Sequence, residues 1–356
     1  MSGKIWLKSK LGFGLLAVAL VTFFSACGAQ QSPSTTENAK TDTSLLDKVK
    51  QRGKLICGVS GKLPGFSFVK EDGSYSGMDA DFCRAVAAAL FDDPDKVEFR
   101  NLSSQQRFTA VQTGTVDLLA RNTTKTMSRD TAVRLEFAPI IFYDGQGMMV
   151  PANSGVKSLK DLQKKTICVK AGTTTELNLA DRMSKLGIEY TPVVIDDEDA
   201  LYASYAQGRC EGITSDRSQL IARRSVLANP DEHEILSEVM SKEPLAPAVI
   251  NGDPKWSDAI RWITYALIQA EEFGITKNNL NTFNNTSDST IKRFLGAEGT
   301  LGSDAGLPND FAVRIIKHVG NYGEIYQSNI GEEFNVDRGL NELWTKGGLM
   351  YSPPFR

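Results

Sequence analysis

Two apolar periods alternate along most of this chain. Residues 54–59 form an apolar run of strand length. Over 79–91, Phe82, Val86 and Leu90 recur at i, i+4 and i+8, one face of a helix. A strand (97–99), a helix (108–111) and a strand (116–120) follow. A second block runs strand 166–169, helix 176–186, strand 190–194, helix 200–206, strand 211–214 and helix 218–227. This alternation predicts mostly parallel sheets covered by helices, an α/β fold. The roughly 310 residues after Ser44 exceed one comfortable α/β core, so two lobes are predicted. Two breaks separate the blocks: 143–147, rich in flexible positions, and 241–247, which carries Pro244 and Pro247. The chain is therefore expected to run through lobe one over 45–144 and lobe two over 145–243, then return over 244–356. Residues 311–319 and 341–344 read as amphipathic helices packing back on lobe one, and the Asn/Thr-rich stretch 278–290 as a surface loop.

The N-terminus reads differently. Lys4, Lys8 and Lys10 precede an apolar run over 11–26, and the small residues Ser25 and Ala26 stand before Cys27. This is the pattern of a signal peptide over 1–26, with no stop-transfer charges after it. The junction at Cys27 resembles a bacterial lipobox, which would make Cys27 the acylated N-terminus and anchor the protein to the membrane. Phe24 departs from the usual leucine, and plain secretory cleavage and an uncleaved anchor are the other readings. Residues 27–44 hold almost nothing apolar and read as a flexible tether. Loss of 1–26 removes three lysines and no acidic residue, moving the formal charge from −3 to −6. A mildly acidic exported chain has no electrostatic footprint for nucleic acid.

Four cysteines remain beyond Cys27: Cys57, Cys83, Cys168 and Cys210. With no CxxC pair and only His233 and His318 as histidines, no metal site is expected. In an exported chain an even count suggests two disulfides. Of three connectivities, Cys57–Cys83 with Cys168–Cys210 is favoured, because each pair falls within one predicted lobe. Four buried free thiols are the alternative.

Three segments carry candidate chemistry. In 117–129 a strand ends in a cluster of hydroxyls and amides, including Arg121, Asn122 and Thr124, and Arg129 follows one turn later. Ligands bind at the carboxyl ends of strands in open α/β sheets, and an arginine fork matches a carboxylate. In 170–176, Thr173 and Glu176 have capping-box spacing, so a helix starts beside Lys170 and Gly172 and leaves first-turn amides, such as that of Thr174, for an anion. In 211–216 a short strand delivers Asp216 to the same rim. Each has a plainer reading: loop capping, helix capping, or an N-cap aspartate. Together, donors for a carboxylate and an aspartate for an ammonium are complementary to a zwitterion such as an α-amino acid.

Several strings carry a further resemblance: LDKVKQRGKL (46–55), GMDADFC (77–83), SRD (128–130), GTTTE (172–176), GRCE (208–211) and GNYGEIY (320–326). In order and spacing they resemble the polar amino-acid solute-binding proteins of ABC transporters, with the type II periplasmic binding protein fold, and the general L-amino-acid receptors among them. The resemblance implies two lobes, each a mostly parallel sheet flanked by helices, joined by two hinge crossings that close on an L-amino acid. It implies permease subunits as partners and no cofactor. Arg129, Thr173 and Thr174 would hold the carboxylate and Asp216 the ammonium, with Asn122 and Thr124 adding contacts from lobe one. Ser60 stands where relatives often carry an acidic residue, and Ser103 and Ser104 where some stack an aromatic ring, which suggests a roomier pocket. Arg121 and Lys170 would favour acidic or polar side chains. An enzyme of dehydratase type on the same fold, or a ligand-sensing surface lipoprotein, are the alternatives. No GxSxG, Walker or HExxH string supports catalysis.

Overall fold

The computed structural model describes residues 43–356. The signal-peptide, lipidation and most of the tether expectations, Cys27 included, lie outside those residues.

The strands, in chain order, are β1 (Leu55–Val59), β2 (Lys62–Leu63), β3 (Ser67–Val69), β4 (Tyr75–Ser76), β5 (Val97–Asn101), β6 (Leu118–Leu119) and β7 (Leu135–Phe137). They continue with β8 (Phe142–Pro151), β9 (Thr166–Lys170), β10 (Thr191–Ile195), β11 (Gly212–Asp216), β12 (His233–Ile235), β13 (Lys242–Leu245) and β14 (Ala248–Ile250). Lobe one is built on the sheet β5-β1-β6-β14-β7, and lobe two on β10-β9-β11-β8-β12. In each, three strands are parallel (β5, β1, β6; β10, β9, β11), and the remaining strands add on antiparallel. The parallel strands are those the alternation predicts. Short β2, β3 and β4 form a small antiparallel meander beside lobe one.

Helices cover the sheets. The principal ones are α1 (Leu45–Arg52), α2 (Met78–Phe91), α3 (Arg107–Gln112), α4 (Met127–Thr131), α5 (Thr174–Leu186), α6 (Glu198–Ala206), α7 (Arg217–Ser225) and α8 (Pro254–Glu272). α1 starts on a Ser44 cap, whose hydroxyl accepts from Asp47 N at 3.2 Å, and stops at Gly53 in the left-handed region (φ 75°). α2 is buried on nearly every face because β1, α8 and the helix Phe311–His318 all pack on it. In the lobe-one core, buried Trp256 donates Nε1 to the Asp117 carbonyl at 2.8 Å, which satisfies its one polar atom.

The cysteines pair as favoured. Cys57 in β1 is bonded to Cys83 in α2, and Cys168 in β9 to Cys210 just before β11, with Cα–Cα separations of 6.3 and 5.6 Å. The first staples a strand to the helix packed on it and the second a strand to the turn between α6 and β11, each within one lobe.

The two breaks are not loops. Residues 143–147 lie inside β8, and 242–245 are β13, hydrogen-bonded antiparallel to the start of β8 from Phe142 to Gly145. The crossings between lobes are thus two paired strands. Pro244 is tolerated because it faces the 123–125 segment, which bridges β13 at Thr124–Leu245 and uses only the Pro244 carbonyl, accepting from Lys125 N at 2.8 Å. Residues 341–344, expected as a helix, are instead part of two short 3₁₀ turns, Gly339–Asn341 and Trp344–Lys346. Asn341 is fixed there by the hinge strand: its Oδ1 accepts from Tyr143 N at 2.6 Å and its Nδ2 donates to Tyr143 O at 3.2 Å. The stretch 278–290 is likewise not all loop, with a 3₁₀ turn at Leu280–Phe283 and a helix from Ser289. The helix Phe311–His318 packs on α2 and α8 through Phe311, Ala312, Ile315 and Ile316.

Candidate functional site

The strand ends of both sheets face one another across the crossings, and their loops enclose an inner cavity of about 30 Å³. A cavity that size holds two or three waters, so an amino-acid head enters only as the lobes part.

From lobe one come Ser104, Arg107, Arg121, Asn122 and Thr124. Asn122 sits in the left-handed region (φ 42°), a conformation asparagine tolerates better than most residues. Its backbone N–H is held by the Asp79 carboxylate at 2.8 Å. Burial pushes the Asp79 carboxyl up to about 7, against the opposing pull of that N–H and of Arg121. From lobe two come Lys170, Thr173–Thr175, Glu198, Ser215, Asp216 and Gln219. Gly172 takes φ 69° in the turn before α5, and a Cβ there would meet Gln105 Cγ at 3.2 Å, so glycine lets the lobes approach. Thr173 caps α5, accepting from Glu176 N at 3.2 Å and leaving the first-turn amides of Thr174 and Thr175 without intrahelical partners.

Asp216 stands at the N-cap of α7 but makes no capping bond. Its Oδ2 instead accepts from Gln219 Nε2 at 2.9 Å, and the same nitrogen reaches Asn122 Oδ1 at 2.5 Å, tying the lobes together. Burial raises the Asp216 carboxyl well above its ordinary range, and the nearby carboxylates of Asp144 and Glu243 push it the same way. Glu243, fully buried on β13, accepts from Thr124 Oγ1 (2.6 Å) in lobe one and from Thr174 Oγ1 (2.8 Å) and Asn178 Nδ2 (2.7 Å) in lobe two.

The basic side chains are held against the cost of burial. Burial lowers the Arg107 guanidinium well below its usual value, and Arg121 and Arg129 add repulsion. Arg107 makes only long bonds, to Thr123 Oγ1 (3.5 Å) and the Gly172 carbonyl (3.4 Å), and its Nε has no partner. Among the described residues no carboxylate lies within 4.0 Å of Arg107 or Arg121. Buried Lys170, by contrast, is ion-paired with Glu198. Ser104 Oγ and Asn122 Nδ2 are also buried without partners. Such orphaned groups at a cavity call for a ligand.

Seven of the candidates converge on this cavity: Arg121, Asn122, Thr124, Lys170, Thr173, Thr174 and Asp216. Three do not line it. Arg129 lies behind Thr124, donating Nη1 to its carbonyl at 2.8 Å and stacking on Phe108 at 5.1 Å. Gly172 reaches the site through the carbonyl facing Arg107. Ser60 lines an adjoining outer cavity of about 170 Å³. Sequence reasoning missed Arg107 and Gln219. The available signal was burial spacing: Arg107, Ala110 and Val111 share the inner face of α3, an odd place for a charge. His233 bonds Tyr205 OH through Nδ1 at 3.0 Å, and His318 Nε2 meets Asp92 at 2.8 Å; neither lines these cavities. Among the described residues no cluster of metal-ligating side chains occurs, and no helix is long and apolar enough to cross a membrane.

Comparison with known proteins shows the family of the chain. The sequence profile of bacterial extracellular solute-binding proteins, family 3, matches residues 55–287. The general L-amino acid-binding periplasmic protein AapJ of Rhizobium johnstonii is 47% identical over 346 residues, covering 96% of this chain and 99% of that protein. The glutamate/glutamine/aspartate/asparagine-binding protein BztA of Rhodobacter capsulatus is 49% identical over 316 residues, 88% of this chain and 94% of its own. Among solved structures, an ABC transporter periplasmic binding protein from Brucella ovis with glutathione bound superposes with a TM-score of 0.86 at 48% identity. It covers 88% of this chain and 99% of that one.

Proposed function

Because this chain belongs to family 3 of the bacterial extracellular solute-binding proteins, we propose that its inner cavity captures the α-amino and α-carboxylate groups of an L-amino acid. It is the substrate-binding component of an amino-acid ABC transporter, as its relatives are. The observation that carries the ligand assignment is the charge pattern: Arg107 and the Thr174 and Thr175 amides await a carboxylate, while Asp216 lacks a cation. Arg129 acts from behind, fixing Thr124. Arg107, Arg121 and Lys170 outnumber Glu198 and Asp216 by one along the wall, which favours acidic side chains and their amides, as BztA's name reads for that protein. Hinge closure around ligand, general among periplasmic binding proteins, would bring Arg107 and Asp216 onto one molecule and give the permease a closed shape to read.

Binding, not catalysis, is the reading, since no histidine lines the cavity and its one unpaired carboxyl, Asp216, is engaged as the anion that receives the ligand's ammonium. Lipid attachment at Cys27 would tether the binding unit to the membrane surface through residues 27–44. Mass spectrometry of membrane-extracted protein should find a diacylglyceryl N-terminus at Cys27; an unmodified N-terminus beyond it removes the anchor. The function is tested by calorimetry against the common L-amino acids. Glutamate, aspartate, glutamine and asparagine should bind one per chain, and a panel with no binding refutes the proposal.

A further inference from the structure

Hydrogen-bond donors from three parts of the fold converge on the Glu243 side chain. Thr124 Oγ1 comes from lobe one (2.6 Å), Thr174 Oγ1 and Asn178 Nδ2 from the start of α5 in lobe two (2.8 and 2.7 Å), and Ser241 Oγ from just before β13 (2.5 Å). Glu243 is fully buried, and among the described residues no basic group lies within 4.0 Å of it. Its burial is therefore compensated mainly by these four bonds, with Arg129 attracting it from farther off. A buried carboxylate is costly to leave short of its donors. The two lobes hold it differently. Lobe one is joined to the hinge strand by main chain, Lys125 N donating to the Pro244 carbonyl (2.8 Å) and Ala246 N to the Thr123 carbonyl (3.0 Å). Lobe two reaches Glu243 through the Thr174 and Asn178 side chains.

We propose that Glu243 is the closure latch: a positioning residue that acts through Thr124 and Thr174 on the cavity wall and slows the escape of a bound amino acid by holding α5 against the hinge. Glu243 does not itself line the inner cavity. The inference rests on that cavity being the amino-acid site, and it goes further by naming the residue that sets how long the ligand stays. When lobe two swings away, Glu243 exchanges two donors for water. At intermediate separations it has neither, so the shut and the open arrangements are both favoured over anything between them.

The test is stopped-flow association and dissociation of the full chain with L-glutamate, L-aspartate, L-glutamine and L-asparagine, beside thermal unfolding without ligand. Glu243→Gln keeps the shape but removes the charge and one acceptor oxygen, and charge-assisted bonds are about twice as strong as neutral ones. Dissociation of the tightest binder should speed at least about tenfold, while association, set by encounter before closure, stays within about threefold. The ligand-free melting temperature should move by less than about 2 °C, because water replaces the lost donors in the open form. Asn178 does not line the cavity either. Asn178→Leu removes one lobe-two donor and should speed dissociation about threefold, and the double variant should be no faster than Glu243→Gln alone. Unchanged dissociation in Glu243→Gln, a loss of affinity carried by association, or additive effects in the double variant refutes the latch while the binding reading stands. A ligand-free melting temperature lowered by more than about 5 °C would make Glu243 a structural strut and also overturns it. If Glu243→Gln does not fold, dissociation at the wild-type rate in Asn178→Leu is enough to reject the proposal. If none of the four amino acids binds the wild type, the head-group reading fails and takes the latch with it.

Discussion

Replacing Arg107 with methionine separates two kinds of buried charge. Arg107 is 3% exposed, has two long hydrogen bonds of 3.5 and 3.4 Å, and carries an unpartnered Nε. Without ligand it is a desolvated charge with little compensation, so an apolar isostere of similar length should leave stability unchanged or raise it by about 1 kcal/mol. With ligand, the same fork would make two charge-assisted bonds to a carboxylate, each contributing about 1.5–3 kcal/mol. Taking the lower figure for each, Arg107→Met should cost about 3 kcal/mol of affinity, roughly two decades in Kd. Thermal unfolding of ligand-free protein and calorimetry with the best amino acid measure the two halves. Unchanged affinity refutes the assignment. So does loss of more than about 2 kcal/mol of ligand-free stability with affinity retained, because Arg107 would then be a structural strut.

Other expectations follow from the same charges. Arg129→Ala should also weaken binding, but less than Arg107→Met, because Arg129 reaches the cavity only through the Thr124 carbonyl it holds. If it acts only by holding Thr124, Arg129→Lys should restore part of the loss; equal affinities for wild type and both variants would remove Arg129 from the site. Asp216 is pushed up by burial and by Asp144 and Glu243, and a ligand ammonium favours its ionised form. Binding should therefore release protons and tighten as pH rises toward the raised value. Calorimetry in buffers of different ionisation enthalpy reads this, and no proton release would contradict the ammonium role. Asp79 has its carboxyl raised from 3.8 to about 7, so the folded chain binds the extra proton between those values. Its contribution is intact below pH 3.8 and falls by about 4 kcal/mol by pH 7. Asp79→Asn should thus stabilise the protein increasingly above pH 4, and denaturant unfolding at pH 4 and pH 8 showing the same difference would disprove it. Lys62, in lobe one, pairs with Asp197 (2.6 Å) and Asp199 (3.0 Å) of lobe two; these ion pairs are solvent-exposed, so Lys62→Ala should speed ligand release only about threefold. A hundredfold change in stopped-flow dissociation would show that the contact governs closure.

Legibility in the sequence followed the range of the interactions. The parallel strands and α2, α5, α6 and α7 are set by local period and capping, so Phe82, Val86 and Leu90 or the Thr173–Glu176 box announce them. β7, β8, β13 and β14 are built by pairing between segments far apart in the chain, such as Phe142–Gly145 with Lys242–Leu245. Glycine and proline there spoke only for a break. At the site, residues on strand ends were visible because topology places them. Arg107 and Gln219 were not, because they sit inside helices and are recruited only when the opposite lobe arrives. The order of Arg129 behind Thr124 is likewise a matter of depth, which spacing along a chain does not encode.

Asn341 grips both backbone polar groups of Tyr143 at the base of one crossing strand, and Arg338 just before it pairs with Glu271 of α8 through both of its terminal nitrogens. The last eighty residues are thus a brace bolted onto the pivot. Shortening the chain there would loosen the swing of the jaws without touching any group that meets the nutrient, so residence time would change while preference among solutes stayed fixed.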